Sequence, residues 1–524
     1  MGKIFPCSKS QNSNLYHQHT HQVKIPSITS ISISNNIPKN IEEEENKLIE
    51  EKDGNAEDYY KCLNLVLSTD SLSLWKAKSL KIGLLRSLLR IEKNTPQEEF
   101  YKREINILKK LDHPYILKIF ETYENQKTFD TICEFNDGRK INDEINDIGP
   151  FSEKIAANVI FQLLGVVNYL HNTKGIIHTR INPLTVTVNT YDDDNEYYDI
   201  KLNNFGNYLL KNLPPWKTKP NTLNLFTEEN DTIEKFFVAP ETIKGNNYDE
   251  SCDIYSIGIL GYYMISGKIP YFNCKSPLRS ILSKNLPDFK IPSFEHISIE
   301  GIKLLKGLIN NNPKKRISIS NALKSKWFIN LDTRKTFKIT KSHYKKIISN
   351  VKKYNPSNKL QEIAIAYLVH NIPDIDDVRD INKVFFSFNL TCDGKMSKEQ
   401  MKEGFDSHLI TKENEKKKFK KIIDDMFNMI DYNIDGFIEY EEFVRAGIDK
   451  KLFCEKEVLK FCFEFIDKDN SGKVSLSELK NLLSFDNKRF EEEIIKIKND
   501  GNFNDNGGFL TFDVFEKMMR KCLV

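Results

Sequence analysis

The sequence is short of the features that would place it at once. Its 524 residues hold no apolar run near the roughly 18 that a membrane-spanning helix needs, so no transmembrane segment is expected. The start lacks the apolar core of a secretory signal. Nine cysteines, at 7, 62, 133, 252, 274, 392, 454, 462 and 522, are an odd number with no repeated C-x-x-C spacing. Such usage fits a reducing compartment, and the cytoplasm is the expected location. A surplus of one charge sign is also missing. Lys and Arg number 77 against 74 Asp and Glu, a net charge of +3, so no global field points to nucleic acid and none is expected as a partner.

What is present, 39% hydrophobic and 29% charged residues, suits two or three soluble domains. Residues 1–56 are rich in Ser, Asn, His and Gln, pass through "SITSISISNN", and end in the acidic "IEEEEN", which reads as a disordered extension. Its "MGKIFPCS" offers Gly2 to myristate and Cys7 to palmitate, although Pro6 stands where Ser or Thr is usual. Membrane contact through those two residues is therefore an open expectation.

The C-terminal third repeats around Gly394, Gly436, Gly472 and Gly508, each followed two residues later by an apolar residue, the rhythm of paired EF-hands. The second unit, "DYNIDGFIEYEE", matches D-x-[DN]-x-[DN]-G-x5-E at every position. Ca2+ takes six to eight oxygens, so Asp431, Asn433 and Asp435 are expected to ligate by side chain, Phe437 by its carbonyl, Glu439 through water and Glu442 with both oxygens. The third, "DKDNSGKVSLSE", offers Asp467, Asp469, Ser471, the carbonyl of Lys473 and Glu478 in the same roles. In the first unit Asn389 and Gln400 replace two carboxylates, so binding there is weak or absent. In the fourth, Phe503 and Val514 occupy the first and last ligand positions and cannot hold a cation. Two Ca2+ sites are expected.

From residue 57 to 329 a series of landmarks follows in order. "REINILKKLDHPYI" carries Glu104 on a helix, Ala239, Pro240 and Glu241 spell "APE", "DIYSIG" supplies Asp253, and "NPKKRISISNALKSKWF" supplies Arg316 as a partner for Glu241. "HTRINPLTV", from His178 to Val186, and "NFG", from Asn204 to Gly206, align with the motifs H-R-D-x-K-P-x-N-x and D-F-G. This is a resemblance to protein kinases. Together with a linking helix and four EF-hand units, it makes the chain similar to the calcium-dependent protein kinases of plants and apicomplexan parasites. The implied fold is multidomain α+β: a bilobal protein-kinase-like fold (57–329), a helical junction with the character of an autoinhibitory segment (330–374), and an all-α calmodulin-like domain of four EF-hand units (375–524). The activity that the resemblance implies is Ca2+-released serine/threonine phosphorylation.

The catalytic positions depart from that pattern. "STDSLSL" puts Ser68, Asp70 and Ser73 at the glycines of the phosphate loop, where close backbone approach needs no Cβ. "GLLR" places Arg86 at the third-strand Lys and Leu84 at the adenine roof, and an Arg86 to Glu104 pair is expected to close the site without nucleotide. Arg180 stands at the catalytic Asp, and a guanidinium can only donate. Asn182, Thr185 and Asn204 replace the Lys, Asn and Asp that steady phosphate and Mg2+. Thr179 replaces the Arg that would dock a phosphorylated loop. His178, Phe205 and Leu108 can still stack as a hydrophobic spine, with Cys133 as gatekeeper. No catalytic residue is assigned, and ATP and Mg2+ are not expected as cofactors.

Between the halves, "TRKTFKITKSHYKKIISNVKKY" places Tyr344, Ile347, Ile348 and Val351 on one helical face among lysines, a calmodulin-target pattern, and "KLQEIAIAYLVHNI" continues as a second apolar helix. The EF-hand domain is the expected intramolecular partner of this junction, and the outside protein partner is not legible. The leading expectation is a calcium-responsive pseudokinase acting by protein contact; an active kinase with atypical residues and a passive Ca2+ buffer are the alternatives.

Overall fold

The computed structural model describes residues 48–69, 71–95, 98–190, 198–205, 209–210, 233–244, 249–272, 277–282, 286–331, 333, 339–373, 375–389, 393–409, 413–431, 434–483, 487–501 and 510–523. Gly2, Cys7, Asp70, Gly206, Asn433 and Phe503 lie outside them.

Alternating apolar residues build a six-stranded sheet from β1 (Glu50–Asp53), β2 (Tyr60–Ser68), β3 (Leu72–Ser79), β4 (Leu85–Glu92), β5 (Ile119–Glu124) and β6 (Thr128–Glu134), in the order β1-β5-β6-β4-β3-β2. Neighbouring strands run antiparallel, except that β1 lies parallel to β5 at the edge. Helix α1 (Glu98–Leu108) covers one face, burying Ile105 and Leu108 in a core with Ile91, Phe129 and Cys133. The other face carries a separate cluster, Ala56, Tyr60, Ala77, Leu88, Phe120, Tyr123 and Ile132. The side chains of β4 therefore divide by parity: Ser87, Leu89 and Ile91 face α1, while Arg86, Leu88 and Arg90 face outward.

The second lobe is built on α2 (Glu153–Asn168), capped by Ser152, and α3 (Ser251–Ser266), in which every residue from Cys252 on is buried. Gly258 and Gly261 permit that burial, because a Cβ at either would meet a neighbouring side chain at 2.8 Å or less. Asp253 at the start of α3 is fully buried and accepts from the N–H groups of His178 (2.8 Å) and Thr179 (2.7 Å) and from His171 Nε2 (2.8 Å). Glu241 and Arg316 form a buried two-point pair at 2.7 and 3.1 Å. A fork on a carboxylate is the strong form of such a bond.

The junction is two helices, α4 (Lys341–Lys353) and α5 (Lys359–Asn371). On α4 the buried residues are Tyr344, Ile347, Ile348 and Val351, the four of the apolar stripe. They meet the first EF-hand pair, α6 (Ile375–Phe388), α7 (Lys398–Leu409), α8 (Glu413–Ile430) and α9 (Tyr440–Gly447), with Tyr344 against Phe388 and Phe405. Asn350 Nδ2 donates to the Gly447 carbonyl at 2.8 Å.

Helix α5 packs into the second pair, α10 (Lys456–Ile466), α11 (Leu476–Leu483), α12 (Asn487–Gly501) and α13 (Phe512–Leu523). Tyr367 stacks on Phe465 at 3.8 Å between centroids, and Gln361 Nε2 donates to the Met518 carbonyl at 2.8 Å. Its far end reaches the outer face of the sheet, where His370 Nε2 lies 3.0 Å from the Ile119 carbonyl and its ring meets Phe120. A helix apolar all round is a buried one, and α5 is enclosed by the EF-hand lobe on one side and the sheet on the other.

Candidate functional site

In the kinase-like cleft, the fold holds the spine: His178 and Phe205 are fully buried and meet edge to face at 4.7 Å, with Leu108 and Cys133 buried in the same core. Burial pushes the His178 imidazole down, so it is a neutral packing residue. Burial pushes the Asp253 carboxyl up, yet His171 and the two backbone N–H donors outweigh it and leave the group below the usual range. Thr179 sits at φ 72°, a costly conformation for a β-branched residue, held there by the bond from its N–H to Asp253.

The expected pair of Arg86 and Glu104 does not form. Arg86 lies on the outward face of β4, its guanidinium 4.0 Å from the Phe120 ring centroid and bonded to the carbonyls of Leu85 (3.0 Å) and Asn371. Glu104 accepts instead from the backbone N–H of Phe205 at 2.9 Å. Burial raises its carboxyl above the ordinary value, and the N–H groups of Phe205 and Asn204 only partly offset this. The physical reason is register. A shift of one or three residues moves a strand residue to the opposite face, so the side chains that β4 offers toward α1 are Ser87 and Leu89. Leu84 likewise does not roof the cleft but lines an outer cavity with Ile82, Ile372 and Val458.

The remaining cleft positions are committed locally. Ser68 and Ser73 face each other across the β2–β3 hairpin, closed by Thr69 N–H to the Leu72 carbonyl at 2.8 Å. Arg180 lies 3.8 Å from Glu234, a distant pairing. Asn182 folds back, donating to the Arg180 carbonyl (2.9 Å) and accepting from Leu184 N–H (2.8 Å). Thr185 Oγ1 donates toward the carbonyls of Arg180 and Asn182, both at 3.1 Å. Asn204, at φ 70°, keeps a buried Oδ1 without a hydrogen-bond partner.

The EF-hand loops show where a cation fits. In the third, Asp467, Asp469 and Glu478 bring carboxylate oxygens within 4.8 Å of one another. Asp467 accepts from Ser471 N–H (3.1 Å) and Gly472 N–H (2.8 Å), Ser471 Oγ donates to the Lys473 carbonyl (2.9 Å), and Glu478 spans the loop from Lys468 N–H to Ser475 N–H, both 2.8 Å. Gly472 at φ 79° makes the bend that the loop requires. The donor set suits a hard cation. In the second loop Asp431 has one buried oxygen, Oδ1, without a hydrogen-bond partner, the kind of orphan a metal ion satisfies. Asp435 accepts from Phe437 N–H, and Glu442 caps Glu439 N–H at 2.9 Å.

The described residues of the outer units are engaged in packing and local hydrogen bonds. Asn389 is fully buried, and Gln400 Oε1 accepts from Ser397 N–H at 2.7 Å. Gly394 approaches Tyr169 so closely that a Cβ would stand 2.8 Å from the ring, and Thr173 donates to the Asp393 carbonyl at 2.7 Å, so the first loop is seated on the kinase-like lobe. Val514 packs against the apolar core.

One set of contacts between the third loop and the sheet has no counterpart among the sequence motifs. The third loop touches the sheet through Lys468 to Glu50 (2.8 Å), and nearby Glu464 meets Lys81 (2.6 Å). Asp467 and Lys468 also line a cavity of about 350 Å³ with Tyr60, Tyr123 and Tyr367. No local sequence pattern marks these contacts.

Residues 84–328 match the family described as protein kinase domain, and residues 423–446 and 458–488 match EF-hand families. The chain thus joins a protein kinase domain to C-terminal EF-hands, and these are Ca2+-binding modules. Calcium-dependent protein kinase 4 of Plasmodium falciparum (isolate 3D7) is 28% identical over 440 residues, 82% of this chain and 79% of that protein. Calcium-dependent protein kinase 5 of the same organism is 28% identical over 451 residues, covering 85% and 74%, and calcium-dependent protein kinase 3 of Plasmodium yoelii yoelii is 29% identical over 446, covering 82% and 76%. A twitchin kinase fragment from C. elegans superposes with a TM-score of 0.46 at 20% identity over 54% of this chain and 60% of that one. Over most of its length the chain is thus similar to calcium-dependent protein kinases.

Proposed function

We propose that this protein is a calcium-responsive pseudokinase of the calcium-dependent protein kinase family, which uses Ca2+ binding to change a kinase-shaped surface presented to another protein. The observation that carries the reading is the position of Glu104. In phosphoryl transfer this carboxylate fixes a lysine on the nucleotide phosphates. Here it is half-buried and accepts from the Phe205 N–H, while Arg86 faces away and holds the junction. Ser87 and Leu89, on the side of β4 that faces α1, carry no charge. Arg180 has no lone pair for the acceptor proton, and a general base is worth about 10²- to 10⁴-fold.

Two Ca2+ ions would be held, one by Asp431, Asn433, Asp435, the Phe437 carbonyl and Glu442, the other by Asp467, Asp469, Ser471, the Lys473 carbonyl and Glu478. The EF-hand domain acts as the intramolecular partner of α4 and α5, so ion binding alters what those helices touch and, through Asn371 and His370, the outer face of the sheet. In this reading the protein operates in the cytoplasm, and acylation at Gly2 and Cys7 would bring it to a membrane.

Thermal unfolding of the purified chain with and without ATP and Mg2+, beside a phosphate-transfer assay, tests this. No rise in melting temperature and no labelled substrate is the expected result. A rise together with transfer would overturn it in favour of an atypical active kinase, the reading that the names of the relatives favour. Scattering in Ca2+ against chelator separates sensor from buffer, and an unchanged shape would defeat the sensor.

A further inference from the structure

We propose that Lys395, on the first hand, is an intramolecular counter-cation of the second Ca2+ loop and makes the second hand the weaker of the two sites. The inference rests on reading the second loop as a Ca2+ site. The first two hands meet back to back through the strands Lys395–Ser397 and Phe437–Glu439, in the register Lys395 to Glu439, Met396 to Ile438 and Ser397 to Phe437. That register sets the seventh residue of the first loop beside the ninth of the second. Lys395 Nζ lies 2.8 Å from Glu439 Oε1 and 3.5 Å from Asp435 Oδ2. Asp435 is the fifth-position ligand of the second loop and Glu439 the one that acts through water, so a fixed ammonium already holds two of the loop's oxygen donors.

Among the described residues of the second pair, no ion pair joins a cation of the fourth hand to Asp467, Asp469 or Glu478 of the third loop. Lys473 of the third loop pairs with Thr511, and the residue that corresponds to Lys395 in the fourth unit is Phe509 by sequence, outside the described residues. Among the described residues, the carboxylates converge in the third loop, where Asp467, Asp469 and Glu478 approach within 4.8 Å. Charge count and loop rigidity tune the affinity of these loops. An entering ion must displace the ammonium, which its four-carbon stem keeps close by. A unit charge about 6 Å from a divalent ion, even in a water-like dielectric, weakens binding roughly tenfold.

Calorimetric Ca2+ titration of the full chain tests this, with Glu442→Gln and Glu478→Gln marking which phase belongs to which hand. Lys395→Gln should tighten the second-hand phase about tenfold and leave the third-hand phase in place, whereas Lys395→Arg, which keeps the charge, should titrate like the wild type. The gap between wild type and Lys395→Gln should narrow as salt rises from about 0.05 to 0.5 M, because added ions screen an exposed ammonium. Two bound ions with unchanged or weaker affinity in Lys395→Gln would overturn the role of Lys395 alone. One ion in both proteins, with no phase lost in Glu442→Gln, would overturn the second loop as a site. One ion in the wild type and two in Lys395→Gln would support the proposal in its strongest form.

Discussion

Arg86 on the fourth strand donates to the carbonyl of Asn371 at the end of the junction helix α5, 285 residues away in sequence. The last carbonyls of a helix lack intrahelical partners, and a guanidinium there satisfies one of them and suits the negative end of the helix dipole. The residue at the expected position of the third-strand lysine thus ties the sheet to the junction helix that the EF-hand lobe holds.

Replacing Arg86 by Ala should release that end of α5. A hydrogen bond with a charged partner contributes about 1.5–3 kcal/mol. Amide hydrogen exchange over 359–371 should quicken, with the Ca2+ titration little changed. Exchange equal to the wild type would mean that the bond holds nothing.

Glu241 and Arg316 make a prediction of another kind. Breaking a buried pair from one side strands a charge and costs about 3–5 kcal/mol. Arg316→Met should therefore lower the melting temperature of the kinase-like domain by several degrees while leaving the Ca2+ stoichiometry intact. Loss of both at once would show that the two halves unfold as one unit.

Buried Asp253 and half-buried Glu104 give opposite pH dependences. Asp253 has its pKa lowered, so its contribution is present above the ordinary Asp value and is lost as pH falls through the folded pKa. Glu104 has its pKa raised, so the native state holds its proton more tightly and this group costs stability as pH rises from the ordinary Glu value through the folded pKa. Glu104→Gln should raise the melting temperature at neutral pH, with the gain vanishing in acid. A loss at neutral pH would point to a cation beside Glu104.

Removing the closing carboxylates is the direct check on the metal sites. Glu442→Gln with Glu478→Gln should abolish high-affinity Ca2+ binding, and each single change should remove one ion. Retention of two ions in the double variant would refute the ligand assignment.

The sequence made the repeated glycines, the fixed ligand spacing, the Glu241 and Arg316 landmarks and the stripe on α4 readable, because each is a local pattern with a fixed period. Tyr344, Ile347, Ile348 and Val351 are buried as their helical spacing implies. Arg86 was harder. Its facing depends on a strand register that neither Gly83 nor the paired "LLR" segments set unambiguously, and an odd shift exchanges the faces. The meeting of Lys468 with Glu50 joins residues more than 400 positions apart, and no local pattern encodes it.

Helix α5 has a further consequence. Leu360, Ile365, Ala366, Tyr367 and Val369 are buried around its circumference, so neither the sheet nor the EF-hand lobe covers it alone. If Ca2+ loosens one of these, the helix cannot simply swing into water, since its bared side would seek another apolar surface. On the proposed function, activation would then be an exchange of partners: the face that the second EF-hand pair gives up would pass to another apolar surface.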